Sequence, residues 1–303
     1  MSAPATPAPG ALPSPQRHWD LRAAWNFIAG GTGSGLIVAA AVSGVRGTIT
    51  VVALGVGLAL IASGLCAVWL EIGRPWRALN VFRHPQRSWM SRESYAAVVL
   101  AFVVPVAAWL EATRSMAAPS ALLVALVAAL AFAWCQGRML HAARGIPAWR
   151  SPAIPTLIVA TALAEGAGAW WIAAALLGAG TFATLTVFGA LLVARLVAWL
   201  AYRRTLRDTP RVAAALALPG SALLVAGTLV PLALIVATAL SANETAVTTA
   251  VAAAGALAWL AGAAFKAALI VRASFLQGYA VPRMPVRGQA APARDAPIGS
   301  MRP

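Results

Sequence analysis

Charge is what this sequence has least of. Only 10% of its residues are Asp, Glu, Lys or Arg, whereas a soluble domain carries about a quarter. No stretch has the polar and apolar mixture that a water-facing surface requires, so a soluble domain with chemistry of its own is not expected. Cysteine is nearly absent too: Cys66 and Cys135 each lie inside an apolar run. An iron–sulfur cluster takes about four thiolates, so the chain holds none, and both thiols read as packed small hydrophobes. Histidine is limited to His18, His84 and His141, none deep in an apolar run. A membrane haem takes axial ligands that project from helices into a bundle, so we expect no haem.

What the sequence has is apolar length. Apolar residues make up 61% of the chain, and a spanning helix needs about 20 of them in succession. Runs of that kind cover Trp25–Ser43, Ile49–Leu70, Tyr95–Leu110 and Ala121–Met139. The stretch Ile154–Tyr202 is too long for one helix and must turn once, near Gly178-Ala179-Gly180. Val212–Leu240 and Val247–Val271 complete the set. The expected fold is all-α, a polytopic membrane bundle of eight transmembrane helices over residues 19–281. Met1–Gln16 is rich in Pro, Ala and Ser, and a disordered tail is expected over residues 1–18, with another over residues 282–303. The first segment lacks the basic start of a signal peptide.

The net charge of +15 would point to nucleic acid in a soluble protein. Here the arginines sit between the apolar runs, which reads as membrane topology. With eight spans, both termini share a side with the loops after the second, fourth and sixth helices. That side collects nearly all the Lys and Arg; only Arg46 and Arg114 fall opposite, and Arg195 and Lys266 remain within spans. The bias puts both termini in the cytoplasm of a bacterial inner-membrane protein.

Several residues are candidates for chemistry. The segment Gly30-Gly31-Thr32-Gly33-Ser34-Gly35 looks like a phosphate loop, but no strand precedes it and it lies inside a span. Close helix packing is the expected role. Glu165 stands about 11 residues into its run, roughly 16 Å deep, too far for a short carboxylate to reach water. Arg195 and Lys266 lie nearer their helix ends, and snorkelling to the interface is expected of both. The densest polar segment is Glu71-Ile72-Gly73-Arg74-Pro75-Trp76-Arg77-Ala78-Leu79-Asn80, followed by Ser88-Trp89-Met90-Ser91-Arg92-Glu93. Ser91 offers an N-cap, and Glu93 suits the positive end of a helix. Glu71 at a helix C-terminus opposes the dipole, so Arg74 or Arg77 should compensate it. A carboxylate, arginines and tryptophans at a lipid-accessible helix end can bind a quinone head group, the carboxylate accepting protons and the arginine donating to a carbonyl. An interfacial salt bridge within an aromatic belt accounts for the same residues.

This segment resembles the signature loop of the dimethyl sulfoxide reductase membrane-anchor family. Gly137-Arg138-Met139 through Pro147-Ala148-Trp149, and Phe265-Lys266 through Pro282, fit the same family. The resemblance runs from about Trp19 to Arg287. It implies eight helices, no haem, and an anchor that holds a molybdopterin catalytic subunit and a four-cluster iron–sulfur subunit. It also implies exchange of electrons between membrane quinol (menaquinone or ubiquinone) and the iron–sulfur partner, in anaerobic-type respiration. In one branch of the family a quinol-linked histidine precedes the Gly-x-Pro turn; Glu71 stands there in this chain. The expected quinone site comprises Glu71, Arg74, Trp76, Arg77, Arg138, His141, Glu165 and Lys266. Arg83, Arg87, Arg92 and Arg144 are expected to face the partner subunits on the cytoplasmic side. Three rivals remain: a polysulfide-reductase-like quinone-reactive anchor, an inert tether, and a secondary transporter. The transporter would place a midplane site at Glu165, Arg195 and Lys266, with its seventh helix broken by Pro219 and Pro231.

Overall fold

A computed structural model of the chain describes residues 14–16, 18–70, 75–179, 181–238 and 240–276. It is an all-α bundle with eight helices long and apolar enough to cross a membrane. They are α1 (Leu21–Val42), α2 (Thr48–Trp69), α3 (Trp89–Ala112), α4 (Ala118–Ala142), α5 (Ile154–Leu177), α6 (Phe182–Arg204), α7 (Ala217–Thr238) and α8 (Glu244–Arg272). A 3₁₀ segment over Pro75–Arg83 leads into α3, and a short helix over Pro210–Ala215 leads into α7.

The helix ends follow local chemistry. Asp20 caps α1: its carboxylate accepts the Arg22 N–H at 2.7 Å, a bond that holds its pKa below the usual carboxylate range. The turn between α5 and α6 falls at Gly178, whose left-handed backbone (φ +63°) closes α5, a conformation glycine adopts without strain. Thr181 and Thr184 then form a reciprocal cap on α6. The cap of α3 is Ser88 rather than Ser91; the Ser88 side chain accepts the Ser91 N–H.

Helices α1 and α5 form the centre. In their apolar windows 67% and 72% of residues are buried, against 28% in α2, α3 and α7. The glycines make this possible. A Cβ on Gly35 or Gly166 would overlap the backbone of the opposing helix, so α1 and α5 touch main chain to main chain there. In lipid, where apolar side chains gain little from leaving their solvent, such contact is a principal source of helix association. The glycine-rich run of α1 is a packing surface, as its spacing predicts.

Helix α7 is the irregular one. Residues Val225–Leu229 widen into a π-helical stretch, and Pro231 follows. Proline has no N–H to give the carbonyl four residues earlier, which here is Gly227. A second π-helical stretch, Ala268–Arg272, ends α8.

The two terminal segments meet. Ser14–Pro15 pairs antiparallel with Phe275–Leu276, and Gln16 donates its backbone N–H to Ser274 O. Of the two tails expected at the ends of the chain, residues 1–13 and 282–303 lie outside the described residues. Ser14–Gln16, Ser274–Leu276, the Pro75–Arg83 segment and the loops after α4 and α6 lie at this end of the bundle. The loop after α4 is pinned there by bonds from Trp149 Nε1 to Leu269 O and from Tyr202 OH to Ala148 O. At the opposite end Glu111 accepts from the Arg46 side chain and from the Gly47 N–H, at 2.8 and 2.7 Å.

Candidate functional site

At the termini end, α1, α2, α3 and the Pro75–Arg83 segment do not close on one another. They leave a cleft of about 610 Å³, well within the range of small-molecule sites. Trp19, Phe27, Trp69 and Met139 give it apolar and aromatic walls, and Arg77, His18, His84 and Asn80 give it polar groups. Arg77, His18 and His84 are solvent-exposed. Among the described residues, one carboxylate lines the cleft: Glu93, only 2% exposed. Its Oε1 accepts from Asn26 Nδ2 at 3.4 Å. Asn26 Oδ1 and Gln136 Oε1 have no partner of their own.

Sequence reasoning placed Glu93 at the helix start as compensation for the dipole, and the structure assigns it differently. With Ser88 as cap, Glu93 is the fifth residue of α3, beyond the four free N–H groups that would account for it. It faces into the bundle instead. The signal was available: a carboxylate one full turn past a serine cap has no helix-end reason to be there.

A second polar group lies in the interior. Lys266 Nζ contacts Glu165 Oε2 at 2.6 Å and donates to Phe27 O at 2.9 Å, and both side chains are fully buried. Thr32 Oγ1 donates to the same carboxylate oxygen at 3.0 Å, and Trp259 Nε1 donates to Thr32 Oγ1 at 3.2 Å. Glu165 Oε1 has no partner. Arg195, also fully buried, donates to Ala258 O at 2.9 Å, to Thr228 Oγ1 at 3.3 Å and to Gly227 O. That last carbonyl is the one Pro231 cannot serve, so the buried arginine satisfies the acceptor that the proline leaves free in α7. The snorkelling expected of Arg195 and Lys266 is therefore wrong. Each finds buried acceptors on neighbouring helices, and each can stay in the core because those acceptors replace water.

The cleft and the interior pair meet on α1. Phe27 lines the cleft while its carbonyl receives Lys266; Asn26 bonds Glu93 while its carbonyl accepts from Gln136 Nε2 at 2.9 Å.

The other expected site residues scatter. Glu71 and Arg74 lie outside the described residues. Arg77 lines the cleft, but its neighbour Trp76 is 84% exposed and does not. Arg138 packs its guanidinium over Trp89 and Trp134, 4.8 and 5.9 Å from the ring centroids. His141 sits half-buried at the end of α4, outside the cleft lining. Of the residues expected to face a partner, Arg83, Arg87 and Arg144 are exposed. Arg92 is engaged within the chain, donating to Pro85 O and Gln86 O and stacking over Trp89 at 4.2 Å. Among the described residues, no group of three or more His, Cys, Asp or Glu could hold a metal ion. Sequence reasoning did not find Asn26 or Gln136; single amides in apolar runs carry no pattern.

No protein-family model matches the chain, and no curated protein matches it.

Proposed function

We propose that the chain is a quinone-linked membrane-anchor subunit of a molybdopterin oxidoreductase, with its head-group site in the cleft beside Glu93. The observation that carries this reading is a buried carboxylate set in an aromatic-walled cleft at the arginine-rich end, with an arginine on the same wall. A quinol ring fits between walls of Trp19, Phe27 and Trp69, and its hydroxyl meets an acceptor in Glu93. Arg77 supplies a donor to the oxygen on the other side of the ring. Glu93 thus takes the part first expected of Glu71. On oxidation the quinol loses two electrons and two protons. Glu93 accepts one proton, the other leaves to water through the open cleft, and the two electrons pass to an iron–sulfur partner.

The distribution of arginine supports a cytoplasmic position for this end of the bundle, and so for both termini, in a bacterial inner membrane. Exposed Arg83, Arg87 and Arg144 are then the face offered to the iron–sulfur and molybdopterin subunits. The test is Glu93→Gln in the assembled complex. A lost general base costs about a hundredfold or more in rate, so quinol-dependent turnover should fall by that order while the subunits still co-purify. Turnover equal to that of the unaltered complex would refute the assignment.

A secondary transporter is the second reading, and one observation favours it. Glu165, Lys266 and Arg195 do gather in the bundle interior, and α7 is broken beside Arg195 by a π-helical stretch and Pro231, an arrangement transporters use at substrate sites. Purification from native membranes separates the two: an anchor brings an iron–sulfur protein with it, whereas a transporter comes alone.

A further inference from the structure

A second hollow opens at the same end of the bundle and shares no lining residue with the Glu93 cleft. It lies between the last turn of α6, the short helix Pro210–Ala215 and the first turns of α7, and has a volume of about 520 Å³. Trp199, Leu206, Leu216 and Leu224 wall it with apolar surface. Gly220 lets the Trp199 ring lie directly against α7, since a Cβ there would overlap the ring. Arg203 and Arg207 line it as well, and with Arg204 they border an adjoining hollow of about 410 Å³.

Two features make this more than a cationic surface. The first is the absence of an acid: among the described residues, no Asp or Glu lines either hollow. Asp208 is exposed on the turn and, among the described residues, none of the three guanidinium groups is in an ion pair. The second is the pairing of these guanidinium groups with apolar wall. A soluble anion has no use for Leu206, Leu216 and Leu224, whereas a phosphate that carries acyl chains uses both. Guanidinium forks suit phosphate oxygens, and the last turn of a long apolar helix is the level at which head groups lie.

We propose that this hollow binds one anionic phospholipid. Arg203 and Arg207 hold its phosphate, and an acyl chain lies along the apolar wall at Leu216 and Leu224. The site is independent of the quinone reading; an anchor and a transporter would carry it equally.

Native mass spectrometry of the full chain, purified in mild detergent from membranes containing phosphatidylethanolamine and phosphatidylglycerol, tests this. The unaltered chain should retain one phosphatidylglycerol, enriched over its share of the membrane. Each arginine near a head group contributes on the order of a kcal/mol, so the Arg203→Gln/Arg207→Gln variant should lose roughly thirtyfold of that enrichment. Arg83→Gln/Arg87→Gln, with the same charge lost at the same end, should keep it. Equal loss in the two variants would overturn the site in favour of a generic positive surface. Displacement of the lipid by inorganic phosphate would overturn it in favour of a soluble anion, and displacement by a co-purifying acidic protein in favour of a docking face. If the double variant fails to accumulate, Arg207→Gln alone should lose roughly fivefold of the enrichment. Reduced enrichment there supports the site, and full enrichment contradicts it.

Discussion

The Lys266–Glu165 pair is the most costly feature of the chain to place. Two fully buried charges are tolerated because Phe27 O, Thr32 and the partner charge replace the water they lost. Removing one partner of such a pair strands the other and costs about 3–5 kcal/mol, while replacing both with apolar groups of like volume is often neutral. Lys266→Met alone should therefore lower the unfolding free energy in micelles by that amount, and Lys266→Met/Glu165→Leu should recover most of it. Denaturant titration followed by tryptophan fluorescence reads both. A double variant no better than the single would mean that the pair does more than satisfy itself. Glu165 was legible in the sequence, because one carboxylate deep in an apolar run cannot escape notice. Its partner was not. Lys266 is near enough to a helix end for its flexible stem to reach water, and only the packing of α1 and α5 against α8 shows that it turns inward. Glu93 was misread for the converse reason: its position near a helix start gave it a ready local explanation, which the Ser88 cap then removed.

At the scale of the element, length and composition carried most of the fold. All eight spans coincide with the apolar runs, and the turn at Gly178 is where the glycines placed it. The exact cap of α3 and the π-helical stretch of α7 were hidden, because both depend on which carbonyls are left free after tertiary packing. Pro231 marked the place, but the partner that makes it tolerable, Arg195, is on another helix. The α1–α5 contact is the element on which the rest leans, and Gly166 is its tightest point. Overpacking a core costs about 1–3 kcal/mol when side chains can shift; here the obstacle is backbone, so the helices themselves must part. Gly166→Leu should abolish a monodisperse folded peak in size-exclusion chromatography, whereas Gly55→Leu, at a position with open space around its Cβ, should leave it unchanged. An unaltered peak for Gly166→Leu would contradict the packing described here.

Across the whole molecule the polar chemistry is unevenly placed. The Glu93 cleft, the proposed lipid site and the pairing of Ser14–Pro15 with Phe275–Leu276 all lie at one end, and the interior charges connect to that end through Asn26 and Phe27. The opposite end carries the Arg46–Glu111 contact, which ties the turn between α1 and α2 to the end of α3. This asymmetry is what an anchor with a single working face requires, and it was legible from the arginines alone. The cleft itself was not, since its walls come from four separate helices and a 3₁₀ segment.

The most direct test of the central claim is binding of a quinol-site inhibitor to the purified full chain in nanodiscs, followed by quenching of its tryptophans. Trp19 and Trp69 line the cleft, so occupancy should be read directly. The account predicts saturable quenching by the unaltered chain, affinity weakened about tenfold or more in Glu93→Gln, as loss of a hydrogen bond to a charged group implies, and unchanged affinity in Arg46→Gln at the opposite end. Saturable quenching that Glu93→Gln leaves intact, or no saturable quenching at all, would contradict it.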